Sequence, residues 1–277
     1  MDLRVAAKWF DQTECVDAYG IDTFKAQLEP LEYYKIDGAA VKRRIISTAP
    51  EVQVPYRRTI RIDDQVYLIG DGTPEHFRGR LIRYRYVMSG ADDLVRVLSL
   101  EDALRGTVVP GLWAVVVFNR LQPDERVSST PLPEFQVFFG PREGVKDKDL
   151  VIAGSEIYWV QSVHASQSGL LSAATVRLEH GGPELATYST TTYDPVQDVQ
   201  VRSVGLVAAL RLRWTEDFNY VDQGTLKYAH GDAVFAVLLS DVGVPSTDDH
   251  ITLAGEEWRV VGHRVEGAVV KLHVRRV

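Results

Sequence analysis

The chain has 277 residues, 45% of them apolar and 25% charged, with a formal net charge of −7. That length and apolar share accommodate a sizeable core, in one large domain or two to three small ones. The negative balance argues against a dedicated nucleic-acid binder, which needs a basic footprint for the phosphate backbone, and a lone cysteine, Cys15, cannot form an intrachain disulfide.

Read in order, the chain begins without the apolar run of a signal peptide, because Asp2, Arg4 and Lys8 interrupt residues 1–9. No stretch approaches the roughly 20 apolar residues of a membrane span, so the expectation is a soluble protein first present in a cytoplasm, with no membrane partner. Residues 4–10 read as a strand and residues 23–28 as a helical turn or two. An apolar strand follows over 38–47, then a strand, a polar turn and a strand over 59–69, then an alternating strand over 79–88. Residues 99–104 suggest a second short helix, with Ser99 and Asp102 as a capping arrangement. The seven apolar residues 112–118 suit a buried strand. A second hairpin spans 149–160, followed by a strand over 170–179. Residues 187–198, with four consecutive hydroxyl residues Ser189 to Thr192 and then Pro195, read as a linker or an exposed hairpin. Strands over 206–214 and 231–240, a hairpin over 250–261 and a strand over 268–276 complete the chain.

The three hairpins are copies of one pattern. Ala-Gly-Ser-Glu in the second and Ala-Gly-Glu-Glu in the third reverse the chain at glycine; the first is one residue shorter, with Asp64 standing in for glycine. Their surroundings repeat as well: Gly38 and Gly231 lie 193 residues apart, and Ile62 and Leu253 lie 191 apart. This predicts an all-β protein of three tandem small barrels or sandwiches with little helix, each of about five strands, divided as residues 1–98, 99–190 and 191–277.

Candidate chemistry is sparse. The seven histidines, His76, His164, His180, His230, His250, His263 and His273, show no metal-ligand spacing; His263 and His273 face each other at best across a hairpin, as two partly exposed strand residues. The acidic pairs Asp63-Asp64, Asp147 with Asp149, Asp248-Asp249 and Glu256-Glu257 fall in predicted turns, where solvation removes the pKa separation that acid–base catalysis requires. Cys15 lies in an acidic segment that disfavours a thiolate. No nucleophile elbow or phosphate-binding loop is present. The expectation is a protein with no catalytic residues, no cofactor and no metal. Two features point to contact surfaces instead. Arg78 and Arg80 precede Arg83 and Arg85, which alternate with Tyr84 and Tyr86, a patch for nucleic acid or an acidic partner surface, with subunit contact preferred to base reading because the whole chain is acidic. The loops before the hairpins, residues 49–57, 141–149 and 241–249, occupy equivalent places and read as projecting fingers, with Gly144, Lys146, Gly243, Pro245 and Asp248 as contact candidates.

The third module carries a family resemblance. Gly231-Asp232-Ala233-Val234-Phe235, Ser240-Asp241, Asp249 before the strand of Ile251 to Leu253, the turn Ala254-Gly255-Glu256-Glu257, Trp258-Arg259-Val260-Val261 and the terminal Leu272-His273-Val274-Arg275-Arg276 resemble the head–tail connector proteins of tailed bacteriophages, in particular the head-closure or stopper type. The resemblance is close over about a sixth of the chain and extends to the rest only through the internal repeat. It implies a virion structural protein, assembled in the host cytoplasm, that forms a ring of its own copies. Such a ring joins a portal or adaptor to tail proteins and passes genomic DNA without reading its sequence. Family members have one such module, and this chain has three. That leaves open a tail-tube, tail-terminator or collar subunit, or a tail accessory binding host-surface carbohydrate on Trp113, Trp159, Trp214 and Trp258.

Overall fold

The structure, a computed structural model, describes residues 13–17, 23–36, 39–52, 54, 59–118, 135–140, 143–166, 169–178, 180–194, 196–212 and 233–277. The strand expected over residues 4–10 lies outside them. The described chain is nearly all strand and forms three sheets. The first holds β1 (Thr13–Asp17), β2 (Thr23–Leu28), β3 (Glu32–Ile36), β4 (Ala39–Thr48), β5 (Ile60–Ile62), β6 (Gln65–Phe77) and β7 (Arg80–Ala91). The second holds β8 (Asp93–Leu98), a short helix α1 (Leu100–Arg105), β9 (Leu112–Phe118), β10 (Phe135–Phe139), β11 (Leu150–Ala153), β12 (Glu156–Ala165) and β13 (Leu171–Arg177). The third holds β14 (Glu184–Asp194), β15 (Val199–Leu212), β16 (Ala233–Leu238), a helical turn α2 (Leu239–Val242), β17 (His250–Leu253), β18 (Glu256–Glu266) and β19 (Val269–Arg276).

One topology recurs. The second sheet closes as β8-β9-β10-β13-β12-β11 and the third as β14-β15-β16-β19-β18-β17, the same order of corresponding strands. In the first sheet the pairings β1–β2, β2–β4, β4–β7, β7–β6, β6–β5 and β5–β1 follow that order, with short contacts at β2–β4 and β5–β1. Here β3 is an addition, paired to the start of β4. Each barrel therefore has six strands rather than five. In the second and third modules the sixth strand, β8 or β14, comes from residues not read as a strand and assigned wholly or mostly to the preceding module. The divisions accordingly move from 98/99 and 190/191 to the gaps between Ala91 and Asp93 and between Arg177 and Glu184.

The hairpins correspond residue for residue. Ile60 faces Tyr67, Val151 faces Tyr158 and Ile251 faces Trp258, and all six side chains are buried. Pairing shifts by a bulge after Ile69, Val160 and Val260 alike. Every turn has two residues, and the first is left-handed in each copy: Asp63 (φ 54°), Gly154 (φ 59°) and Ala254 (φ 50°). The first turn is thus not shorter, and its left-handed residue is Asp63 rather than Asp64. Gly154 corresponds to Ala254, not to Gly255, because the third copy takes two left-handed residues, with Gly255 at φ 82°. Similarly, Ile46 corresponds to Phe235 through their pairing with Tyr86 and Leu272. That is a separation of 189 residues, four fewer than the sequence match, because β4 is longer at its start, where it pairs with β3.

Segment 23–28, expected as a helical turn, is the strand β2, paired with β1 and β4. The second helix forms as expected: the Ser99 hydroxyl accepts the Asp102 N–H at 3.1 Å, and Gly106 ends α1 in the left-handed region. Residues 187–198 are the end of β14 and the turn into β15, so the hairpin reading holds, within the third barrel.

Barrel interiors account for only part of the core. The outward face of β6 and β7, carrying Val66, Leu68 and Ala91, packs on the outward face of β9 and β10, carrying Val115, Val117 and Phe138. At the next junction Ile157, Trp159 and Leu178 pack on Leu210, Leu212 and Ala236, with Leu104 of α1 beside them. These are corresponding positions, so the same interface is used twice. Carried one module further, the positions of Ile157 and Trp159 become Glu257 and Arg259. Carried one module back, those of Trp113 and Val115 become Lys25 and Gln27. The series is apolar at its two junctions and polar at both ends. This contrast yields a direct test. Trp159→Ala removes a buried side chain from a junction and is expected to cost about 3–5 kcal/mol, whereas Arg259→Ala at the corresponding end position should stay within about 0.5 kcal/mol, both read from denaturant unfolding.

Candidate functional site

The loops before the second and third hairpins are tied down by one repeated device. The carbonyl of Asp149 accepts the Val160 N–H at 2.9 Å and its carboxylate accepts the Lys146 N–H at 2.8 Å. The carbonyl of Asp249 accepts the Val260 N–H at 2.8 Å and its carboxylate the Ser246 N–H at 2.7 Å. Three loop residues at corresponding places, Val54, Val145 and Pro245, are buried beneath their loops. The second and third fingers are therefore anchored at their hairpin end and in the middle. Gly144, Lys146, Gly243 and Asp248 are exposed on them, but Pro245 is an anchor and presents no contact surface.

The acidic pairs divide on the same basis. Asp63 and Asp64 are exposed, as expected for a turn. Asp249 is 2% exposed, contrary to the expectation that each pair is solvated. Its Oδ2 also accepts the hydroxyl of buried Tyr188 at 2.6 Å, and burial, then this bond, push the Tyr188 hydroxyl far above its usual value. The second module has Val97 where the third has Tyr188, because Val97 faces Val151 and Tyr188 faces Ile251, the corresponding residues of the two hairpins. There a cleft of about 300 Å³ opens, lined by Val97, Ser99, Asp102, Leu112, Gly144, Val145, Lys146 and Asp149. Burial pushes the Asp149 carboxyl up from the ordinary aspartate range, against the opposing bond from the Lys146 N–H.

The arginine patch is reduced by pairing. Arg83 is bonded to Glu75, and Arg85 reaches Glu29 at 2.9 Å. Tyr86 is buried and Tyr84 packs on the first core, so the alternation is as expected. Arg78, stacked 5.4 Å from the Phe77 ring centre, and Arg80 are the exposed members near the tip of the β6–β7 hairpin. Among the tryptophans, Trp159 and Trp258 are each 3% exposed and cannot serve as stacking platforms; Trp214 lies outside the described residues.

Histidines make no metal constellation among the described residues. His273 pairs with Gly262 and His263 with Leu272, so adjacent pairs place the two rings on opposite faces of the hairpin. His273 is buried, not partly exposed.

Two open strand edges stand out. In the first module β3 is paired only with β4 among the described residues, and Tyr33 on it is 64% exposed. In the third, β15 meets β16 only over Ala209 to Leu212, which leaves its earlier half paired to β14 alone among the described residues. Beside this edge Leu185, Val204 and Leu206 are exposed on one face, continuing the stripe of Ala208, Leu210 and Leu212 that the second module covers. Sequence reading gives residues 187–198 as a linker or exposed hairpin and starts the next strand at 206, and so misses this edge. The signal was the alternation of Val204, Leu206 and Ala208 with a strand period.

An ionic cluster at the second junction was also missed. Glu266 lies 3.2 Å from Lys148 of the second module, 3.1 Å from Arg264 and 3.3 Å from Lys271. Lys271 is 1% exposed, with its ammonium 5.8 Å from the Trp159 ring centre. Burial alone would raise the Glu266 carboxyl, but Lys271 and Lys148 outweigh it and hold it below its usual value.

These features define a tandem array of three related β-barrel modules with anchored loops and two open edges. No protein-family model, curated protein or solved structure matches the chain.

Two predictions follow from the bonded carboxylates. Asp249→Ala strips a buried phenol of its acceptor and is expected to cost about 1.5–3 kcal/mol, against about 1 kcal/mol for Asp149→Ala, in thermal or denaturant unfolding. A depressed carboxyl contributes stability above its unfolded value that drains away as pH falls through the lowered folded value. Glu266→Gln should therefore cost about 1.5–3 kcal/mol at pH 7, and the difference from the parent should vanish on acidification below the lowered Glu266 value.

Proposed function

We propose that this chain is a structural protein of a tailed-phage virion: a ring-forming head–tail connector or neck component of the head-closure type, linking a portal or adaptor to the tail. Its work is assembly and passage of DNA rather than bond-making. The observation that carries this reading is the arrangement of residues 233–276, the segment that resembles the connector family. There a strand, an anchored finger, a tight hairpin and a terminal strand follow one another in a closed barrel. The array supports the reading further. Fixed junctions make a rigid subunit, and polar ends prevent the junction interface from extending into a filament. The open edges at β3 and β15 lie in the first and last modules, so a contact between copies joins unlike surfaces, the kind of contact that closes into a ring.

Electron microscopy of the purified chain tests this. The expected particle is a closed ring with a central hole of duplex width, and Val204→Arg with Leu206→Arg should disperse it into folded single chains. A chain that stays monomeric at every concentration, and with portal-bearing heads, opposes the reading.

A further inference from the structure

We infer that the cleft of the second module is a binding site for a phenol, the side chain of a partner's tyrosine or a small phenolic compound. The third module shows what the site takes. There the Tyr188 ring rises from the strand position that corresponds to Val97 and delivers its hydroxyl to Asp249 Oδ2 at 2.6 Å, within the barrel core. Oδ2 of Asp249 holds the Ser246 N–H at the same time, as Oδ2 of Asp149 holds the Lys146 N–H. The second module thus keeps the acceptor, in the same loop and with the same backbone bond, and lacks the phenol. The space between Val97 and Asp149 is the cleft. Its walls suit a ring: Val97, Leu112 and Val145 are apolar, and the half-buried Asp149 carboxylate lies among them. The mouth of a small barrel is a usual place for such a site. Burial, which raises the Asp149 carboxyl, also strengthens the hydrogen bond that a donor would bring to it. This inference rests on the internal repeat and not on the virion reading.

The experiment titrates p-cresol into the full chain and follows the backbone amides of Gly144 to Asp149 by NMR. Saturable shifts with Kd of about 1 mM are expected for a ligand of this size. Toluene, the same shape without the hydroxyl, should bind about tenfold more weakly. Val97→Tyr, which supplies the ring from within, should abolish the shifts, and Asp149→Asn, which keeps the loop bond but removes the charge, should weaken binding several-fold. N-acetyltyrosinamide separates the two sources: binding equal to that of p-cresol assigns a protein partner's tyrosine, and p-cresol alone a small phenol. Absence of saturable shifts, equal binding of toluene, or p-cresol shifts unchanged in both Val97→Tyr and Asp149→Asn overturns the inference.

Discussion

The constraint on which the molecule depends is that several strands bury both of their faces. In β15, Val207 and Ala209 point into their own barrel while Leu210 and Leu212 point to the second module; in β16 all six side chains are buried. A closed barrel satisfies its backbone but leaves its outer face to water, and an apolar outer face must be covered. Separated from the second module, the third would expose Leu210, Leu212, Val234 and Leu238 together. The modules are therefore parts of one folding unit, and their relative placement is set by side-chain packing rather than by linkers.

The same constraint distinguishes the two junctions from the corresponding outer faces of the first and third modules. The junction needs apolar residues at a few corresponding positions on two strands of each partner. Glu257, held by Arg202 at 3.1 Å, and exposed Arg259 occupy those positions at one end; exposed Lys25 and half-buried Gln27 occupy them at the other. Desolvating them against another module would cost more than the contact returns. Departures from the shared plan collect at these ends too: the extra strand β3 in the first module and the long β14–β15 hairpin in the third. In β8 and β9 the equivalent of that hairpin stops short, and the chain between them folds into α1, which covers the junction with Leu104.

Much of this was legible in the sequence and some was not, for identifiable reasons. The hairpins were clear because alternation, a polar turn and a buried aromatic recur within a dozen residues. Their alignment slipped by one because glycine was matched to glycine, whereas the backbone requires a left-handed residue at the first turn position and accepts Asp63 or Ala254 there. The run of Leu112 to Phe118 showed a buried strand but not what buried it, since a two-faced strand loses the alternation that reveals orientation. Strand β14 was missed as a core element because Ser189 to Thr192 look like loop composition, although threonine and tyrosine favour strands. Asp249 was read as a solvated turn residue. Nothing local in Asp248-Asp249 distinguishes the member that meets Tyr188, which lies 61 residues away.

The comparison of Asp149 with Asp249 shows how one plan acquires different duties. Both aspartates pin a loop to the strand behind it through their carbonyls and brace the loop itself through their carboxylates, so loop position does not depend on what each site binds. In the third module the phenol is built in and the loop closes over a filled core, which makes that finger a rigid part of the barrel. In the second, the smaller Val97 leaves the carboxylate facing a cleft whose rim includes Gly144 and Lys146, two residues on an otherwise anchored finger. On the binding inference, a repeat that has the acceptor without the internal side chain makes between molecules the contact that its neighbour makes within one. The Tyr188–Asp249 contact of the third module sets the scale of the one expected at Asp149, and the anchoring of the loop means that little ordering opposes binding.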